Sequence, residues 1–132
     1  MSYFLDTNTC IYFLEGLSEN VSLKFQETSP KKIEIPSLVK AELLFGAYNS
    51  RRTEANLKRI KAFLRPFEII PFDDAGADAY ARIRAELEKT GTMIGANDAV
   101  IAATVVSRTG TLVTNNTREF SRVKDLRIED WI

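Results

Sequence analysis

Short apolar runs alternate with longer amphipathic stretches along this chain. Ser2–Leu5 is apolar and meets an acid at once, which predicts a buried strand ending at Asp6. Thr7 to Glu15 carries Ile11 and Leu14 at helical spacing, with Gly16 as its stop, and Asn20–Glu27 continues in helical fashion. Lys32–Ile35 predicts a second strand. Pro36-Ser37 then opens a helix through Tyr48, on which Leu38, Ala41, Phe45 and Tyr48 follow one face. Arg52–Arg65 predicts a further helix with Leu57, Ile60 and Leu64 inward, and Phe67–Phe72 a third strand. Asp74–Lys89 reads as a helix that aligns Tyr80, Ile83 and Leu87. Asn97–Arg108 is apolar nearly all round, the mark of a buried helix, and Gly110 ends it. Thr111–Thr114 predicts a strand, Thr117–Val123 a helical turn, and Leu126–Ile128 a last strand.

Strands alternating with helices pair in parallel and take helices on both faces. The expected fold is a three-layer α/β/α sandwich with a mainly parallel sheet of about five strands, one domain over residues 1–132. In such sheets ligands bind at the carboxyl ends of the strands. Asp6 and Asn115-Asn116 are expected there.

Composition narrows the chemistry. The chain has no histidine and one cysteine, Cys10, so imidazole catalysis, histidine-ligated metals and an internal disulfide are all excluded. Hydrolysis would rest on carboxylates, which suit hard cations such as Mg²⁺ and Mn²⁺. Lysine plus arginine and aspartate plus glutamate both number 18, so any grip on nucleic acid must be local. No apolar run reaches the roughly 20 residues of a membrane helix, and no leader is recognisable; a cytoplasmic protein is expected.

Most acids have structural explanations: Asp73 and Asp74, for example, precede a helix they can cap. Three do not fit so simply. Asp6 ends an apolar strand, Glu42 shares a face with Leu38 and Phe45, and Asp98 shares one with Ile101, Ala102 and Val105. Each has a structural alternative: a loop-capping aspartate at Asp6, a buried arginine pair at Glu42, and a helix N-terminal charge at Asp98. A bound divalent cation accounts for the three together.

The segments Phe4-Leu5-Asp6-Thr7-Asn8, Val39 to Ala47 around Glu42, Ile94 to Ala103 around Asp98, Leu112 to Phe120, and Ile128 to Trp131 resemble, in order, the PIN-domain ribonucleases and the VapC-type toxins among them. The resemblance implies Asp6, Glu42 and Asp98 as metal-binding, catalytic acids, with Thr7, Asn8 and Thr114 as neighbouring polar groups toward substrate. It also implies an RNA substrate, commonly transfer RNA, an antitoxin that blocks the groove, a toxin homodimer, and hydrolysis by a metal-activated water. One position departs from the pattern. Asn116 stands where the family often has a fourth acid, and Glu119 is the candidate to supply that carboxylate. Arg118 and Arg122 near the site, and Lys58, Lys61 and Arg65 on one helix, are candidates for gripping RNA. The rival readings are a phosphatase of the haloacid-dehalogenase kind, a receiver-type module, and a non-cutting adaptor of the same fold. The first would need an acid where Asn8 stands, and the second an acid pair near the N-terminus.

Overall fold

The computed structural model describes residues 2–132. Five strands, β1 (Tyr3–Leu5), β2 (Ile33–Pro36), β3 (Glu68–Ile70), β4 (Thr111–Val113) and β5 (Arg127–Glu129), form one sheet in the order β3-β2-β1-β4-β5. All four pairings are parallel, so the sheet is wholly rather than mainly parallel. Seven helices surround it: α1 (Thr7–Leu14), α2 (Glu19–Glu27), α3 (Ser37–Tyr48), α4 (Thr53–Leu64), α5 (Asp74–Thr90), α6 (Ala96–Ser107) and the single turn α7 (Thr117–Phe120). From β1 the chain builds the sheet outward through β2 to β3, then returns to the other side of β1 for β4 and β5, so the strand order reverses between β1 and β4. A parallel sheet leaves its ligand crevice at that reversal.

The central strands are short and fully apolar inside. Phe4, Leu5, Ile35, Leu112 and Val113 are all inaccessible to solvent. Phe4 explains a constraint at Gly110, where an added Cβ would lie 2.4 Å from the buried ring's Cε1. The left-handed residue after α6 is Thr109, at φ 51°, so Gly110 answers to close approach rather than to a turn. On one face, Phe13 stacks on Phe25 at 4.1 Å between centroids, and Phe63, Phe67 and Trp131 complete an aromatic cluster joining α1, α2, α4 and the chain's end.

Helix α3 departs from the sequence-based expectation. Its inward stripe is Val39, Leu43 and Ala47, whereas Phe45 and Tyr48 are 68% and 65% exposed. The helix is apolar on more than one face, and the core takes the stripe that meets β2 while the aromatic stripe faces outward. Helix α7 stops at Phe120 instead of continuing to Val123.

Helices α5 and α6 pack along one another as an antiparallel pair, so the segment joining them lies at the edge where α6 begins. That edge carries the site.

Candidate active site

Asp6 sits where β1 turns into α1. Its backbone N–H still bonds to Val113 of β4, at 3.1 Å, so the strand ladder fixes its position. Its side chain caps α1, Oδ1 accepting from Thr9 N at 2.9 Å, while Oδ2 accepts from Thr114 Oγ1 at 2.5 Å. The capping explanation offered from sequence is therefore correct as far as it goes. A cap alone does not require the second bond, nor burial to 6% exposure. Burial is the main force pushing the Asp6 carboxyl above its usual range; the bonds from Thr114 and Thr9 pull it down, and the charge of Glu42 adds to the rise.

Glu42 projects from α3 toward the same edge, half-buried. Oε1 accepts from Thr7 Oγ1 at 2.6 Å and Oε2 from Asn97 Nδ2 at 3.4 Å. Among the described residues no arginine pairs with it. Its orientation does not follow from sharing a face with Phe45, since that face is in solvent; Glu42 lies at the boundary between the buried and exposed stripes.

Asp98 lies in the first turn of α6, with Ile101, Ala102 and Val105 buried beneath it. Its carboxyl is pushed up to about 6, first by desolvation, then by a hydrogen bond to Glu119 and the charges of Glu119, Glu42 and Asp6. Glu119 goes the other way. The amide of Asn116, donating to Oε2 at 2.9 Å, holds it below the usual range, helped by the bond from Asp98 and by Arg122 and Arg118. Below about pH 6 protonated Asp98 donates to ionised Glu119, and the pair then carries one negative charge rather than two.

Four carboxylates from four separate elements therefore feel one another at the carboxyl edge of β1 and β4. Among the described residues, none of Asp6, Glu42 and Asp98 has a lysine or arginine partner. Equally, no group of three acid or cysteine side chains among those residues stands arranged to hold a metal ion. Threonine and asparagine donors hold Asp6 and Glu42 in place, Asn116 holds Glu119, and below about pH 6 the Asp98 proton ties Asp98 to Glu119.

The sequence-predicted polar residues are present but occupied. Thr7 serves Glu42. Thr114 donates to Asp6 and accepts from Asn116 N at 3.0 Å. Asn116 tethers Glu119. Asn8 and Arg118 are exposed beside the site. Lys58, Lys61 and Arg65 lie exposed on or just beyond α4. Sequence reasoning missed Thr9, whose Oγ1 also reaches Val113 O at 3.2 Å, and Asn97. Thr9 was legible as the third residue after a capping aspartate; Asn97 had no signal beyond its place before Asp98.

The wholly parallel sheet with helices on both faces is that of a PIN domain, whose family profile matches residues 3–126. Close relatives include the tRNA(fMet)-specific endonuclease VapC of Salmonella typhimurium, 37% identical over 99% of this chain and 98% of that protein. Ribonuclease VapC2 of Rickettsia felis is 38% identical over 99% and 98%. The chain therefore belongs to the PIN-domain family and, within it, to the VapC proteins. The crystal structure of VapBC2 from Rickettsia felis, bound to a DNA fragment from their promoter, superposes with a TM-score of 0.94 at 36% identity, covering both chains completely.

Proposed function

We propose that the chain is a divalent-cation-dependent endoribonuclease, the toxin of a toxin–antitoxin pair, acting on RNA and on transfer RNA in particular. The observation that carries the reading is the set of four carboxylates meeting at one sheet edge, with no cationic partner on Asp6, Glu42 or Asp98 among the described residues. Clustered negative charge is costly unless something positive offsets it, and all-oxygen donors suit Mg²⁺ or Mn²⁺. Asp6, Glu42 and Asp98 would hold the ion, with Glu119 as the further carboxylate once Asp98 loses its proton. When bound, the ion supplies charge neutralisation at the phosphate and activation of water.

The protein's own groups do the rest. Thr9 and Thr114 fix both oxygens of Asp6, and Thr7 and Asn97 those of Glu42, so each carboxylate is oriented before substrate arrives. Arg118 and Arg122 flank Glu119 and draw a phosphate toward the acids, which would otherwise repel it. Water attacks phosphorus in line and the ribose 3′ oxygen leaves, giving a 5′-phosphate and a 3′-hydroxyl. Two relatives are named as ribonuclease or transfer-RNA endonuclease, which supports RNA as the substrate class.

The antitoxin reading draws on the solved relatives, which are VapBC complexes, and on an unpartnered surface. A groove of about 210 Å³ runs between α1, α3 and α4, lined by Ile11, Leu43, Ala47 and Ile60 and reaching Glu42. The exposed rings of Phe45 and Tyr48 project from the same helix, α3. Expression of the chain alone in bacteria should arrest growth, and Glu42→Gln should relieve the arrest. Normal growth with soluble, wild-type protein present would contradict the toxin reading.

A further inference from the structure

A second cleft, of about 700 Å³, opens between the C-terminal half of α5 and residues 122–125, just after α7. Its apolar lining is Ile83, Ala85, Leu87 and Val123; Leu87 and Val123 are almost fully buried, while Ala85 is exposed and Ile83 half-buried. Its charges do not balance locally. Glu88 is spent on Arg84 at 3.0 Å, and Glu86 faces Lys124 at 4.0 Å. Arg82, Lys89 and Arg122 remain against Asp125, and among the described residues Arg82 and Lys89 make no ion pair. Arg82 and Lys89 are seven positions apart, on one side of α5 and separated along its axis by about 10 Å. The net charge of the whole chain is zero, so this local excess of positive charge is a feature of the cleft.

Arg122 links the cleft to the active site. It follows Glu119 by three residues, its charge acts on that carboxylate, and its Nη1 donates to Met93 O at 2.8 Å in the segment leading to Asp98. Arg122 therefore borders both Glu119 and the cleft.

We propose that this cleft is a subsite for single-stranded RNA, taking nucleotides next to the scissile bond, with phosphates on Arg82, Lys89 and Arg122 and a base against Ile83 and Ala85, the apolar side chains of the lining that solvent reaches. Charge complementarity selects the occupant: a polyanion whose flat faces are apolar matches cations around an apolar floor. The subsite rests on reading the chain as acting on RNA, and it extends substrate recognition to Arg82 and Lys89, which take no part in the chemistry.

Binding of a fluorescent single-stranded RNA to the full chain tests it, with Asp98→Asn present to prevent cleavage. Adding Arg82→Ala and Lys89→Ala should weaken binding about tenfold and lower the slope of log affinity against log salt by about 1.4, since each lost phosphate contact removes about 0.7. Arg82→Lys with Lys89→Arg should bind as the parent does. Unchanged affinity and slope in the alanine variant would overturn the subsite. So would unchanged RNA binding with an altered mass in solution, which would make the cleft a contact between copies. In the Asp98 wild-type background, the alanine pair should raise KM for long RNA and leave kcat unchanged. Absence of cleavage by the wild-type chain, with binding still lost in the alanine variant, would fell the nuclease reading and leave the subsite standing.

Discussion

Thr114 Oγ1 lies 2.5 Å from Asp6 Oδ2, a bond between residues 108 positions apart that ties the ends of two adjacent strands. The hydroxyl has one proton and gives it to the carboxylate, while its oxygen accepts from Asn116 N. The same threonine thereby orients Asp6 and begins the segment that delivers Asn116 and Glu119. Thr114→Val keeps the shape and removes both roles. A buried hydrogen bond to a carboxylate contributes roughly 1.5–3 kcal/mol, so the variant should lose stability on that order and cleave RNA poorly. Thermal unfolding together with a cleavage assay checks this. A valine variant as stable and as active as the parent would mean that Thr114 does not orient Asp6.

Asp98 makes a pH prediction for the metal-free protein. Its carboxyl is raised from 3.8 to about 6 in the fold, so between those values the folded state binds more protons than the unfolded chain. Stability from this group is then fully present below pH 4 and is lost as pH rises through about 6. Asp98→Asn removes the ionisation and can still donate to Glu119. In EDTA the variant should unfold at a higher temperature than wild type at pH 7, with the difference closing toward pH 4. Equal melting across that range would show that neither burial nor the neighbouring acids raise the Asp98 carboxyl.

Asn116 and Glu119 part over metal demand. Asn116 holds Glu119 beside Asp98, so Glu119→Gln should raise the Mn²⁺ needed for half-maximal cleavage by roughly tenfold or more. Asn116→Asp should lower that requirement by adding a carboxylate. Identical titrations for all three proteins would leave Glu119 as a helix residue and nothing else.

Gly110 tests the core behind the site. The added methyl of Gly110→Ala would press on the buried Phe4 ring, and overpacking of this kind costs about 1–3 kcal/mol. Denaturant unfolding should show that loss. Phe4→Leu in the same chain should recover part of it, because the ring is what the methyl meets.

The sheet was legible because parallel strands buried on both faces are short continuous apolar runs, as in Phe4-Leu5 and Leu112-Val113. Asp6 was legible because a strand that stops on an acid places it at the ligand edge. Helix α3 was misread in its register. Leu38, Phe45 and Tyr48 keep helical period as well as Val39, Leu43 and Ala47 do, and periodicity does not tell a core stripe from one left largely in solvent. The pairings of Thr114 with Asp6 and of Asn97 with Glu42 join residues far apart in sequence, and no local pattern announces them. Glu119 was suggested only by the family's missing acid at Asn116; its bond to that asparagine emerged from the fold.

The central claim is that the acids form one metal-dependent catalytic site. Purified wild-type chain and its Asp98→Asn variant, each incubated with transfer RNA in Mn²⁺ and in EDTA, test it most directly. The prediction is cleavage by wild type in Mn²⁺ only, with 5′-phosphate ends, and none by the folded variant in either condition. Cleavage that persists in EDTA, or in Asp98→Asn, would contradict it.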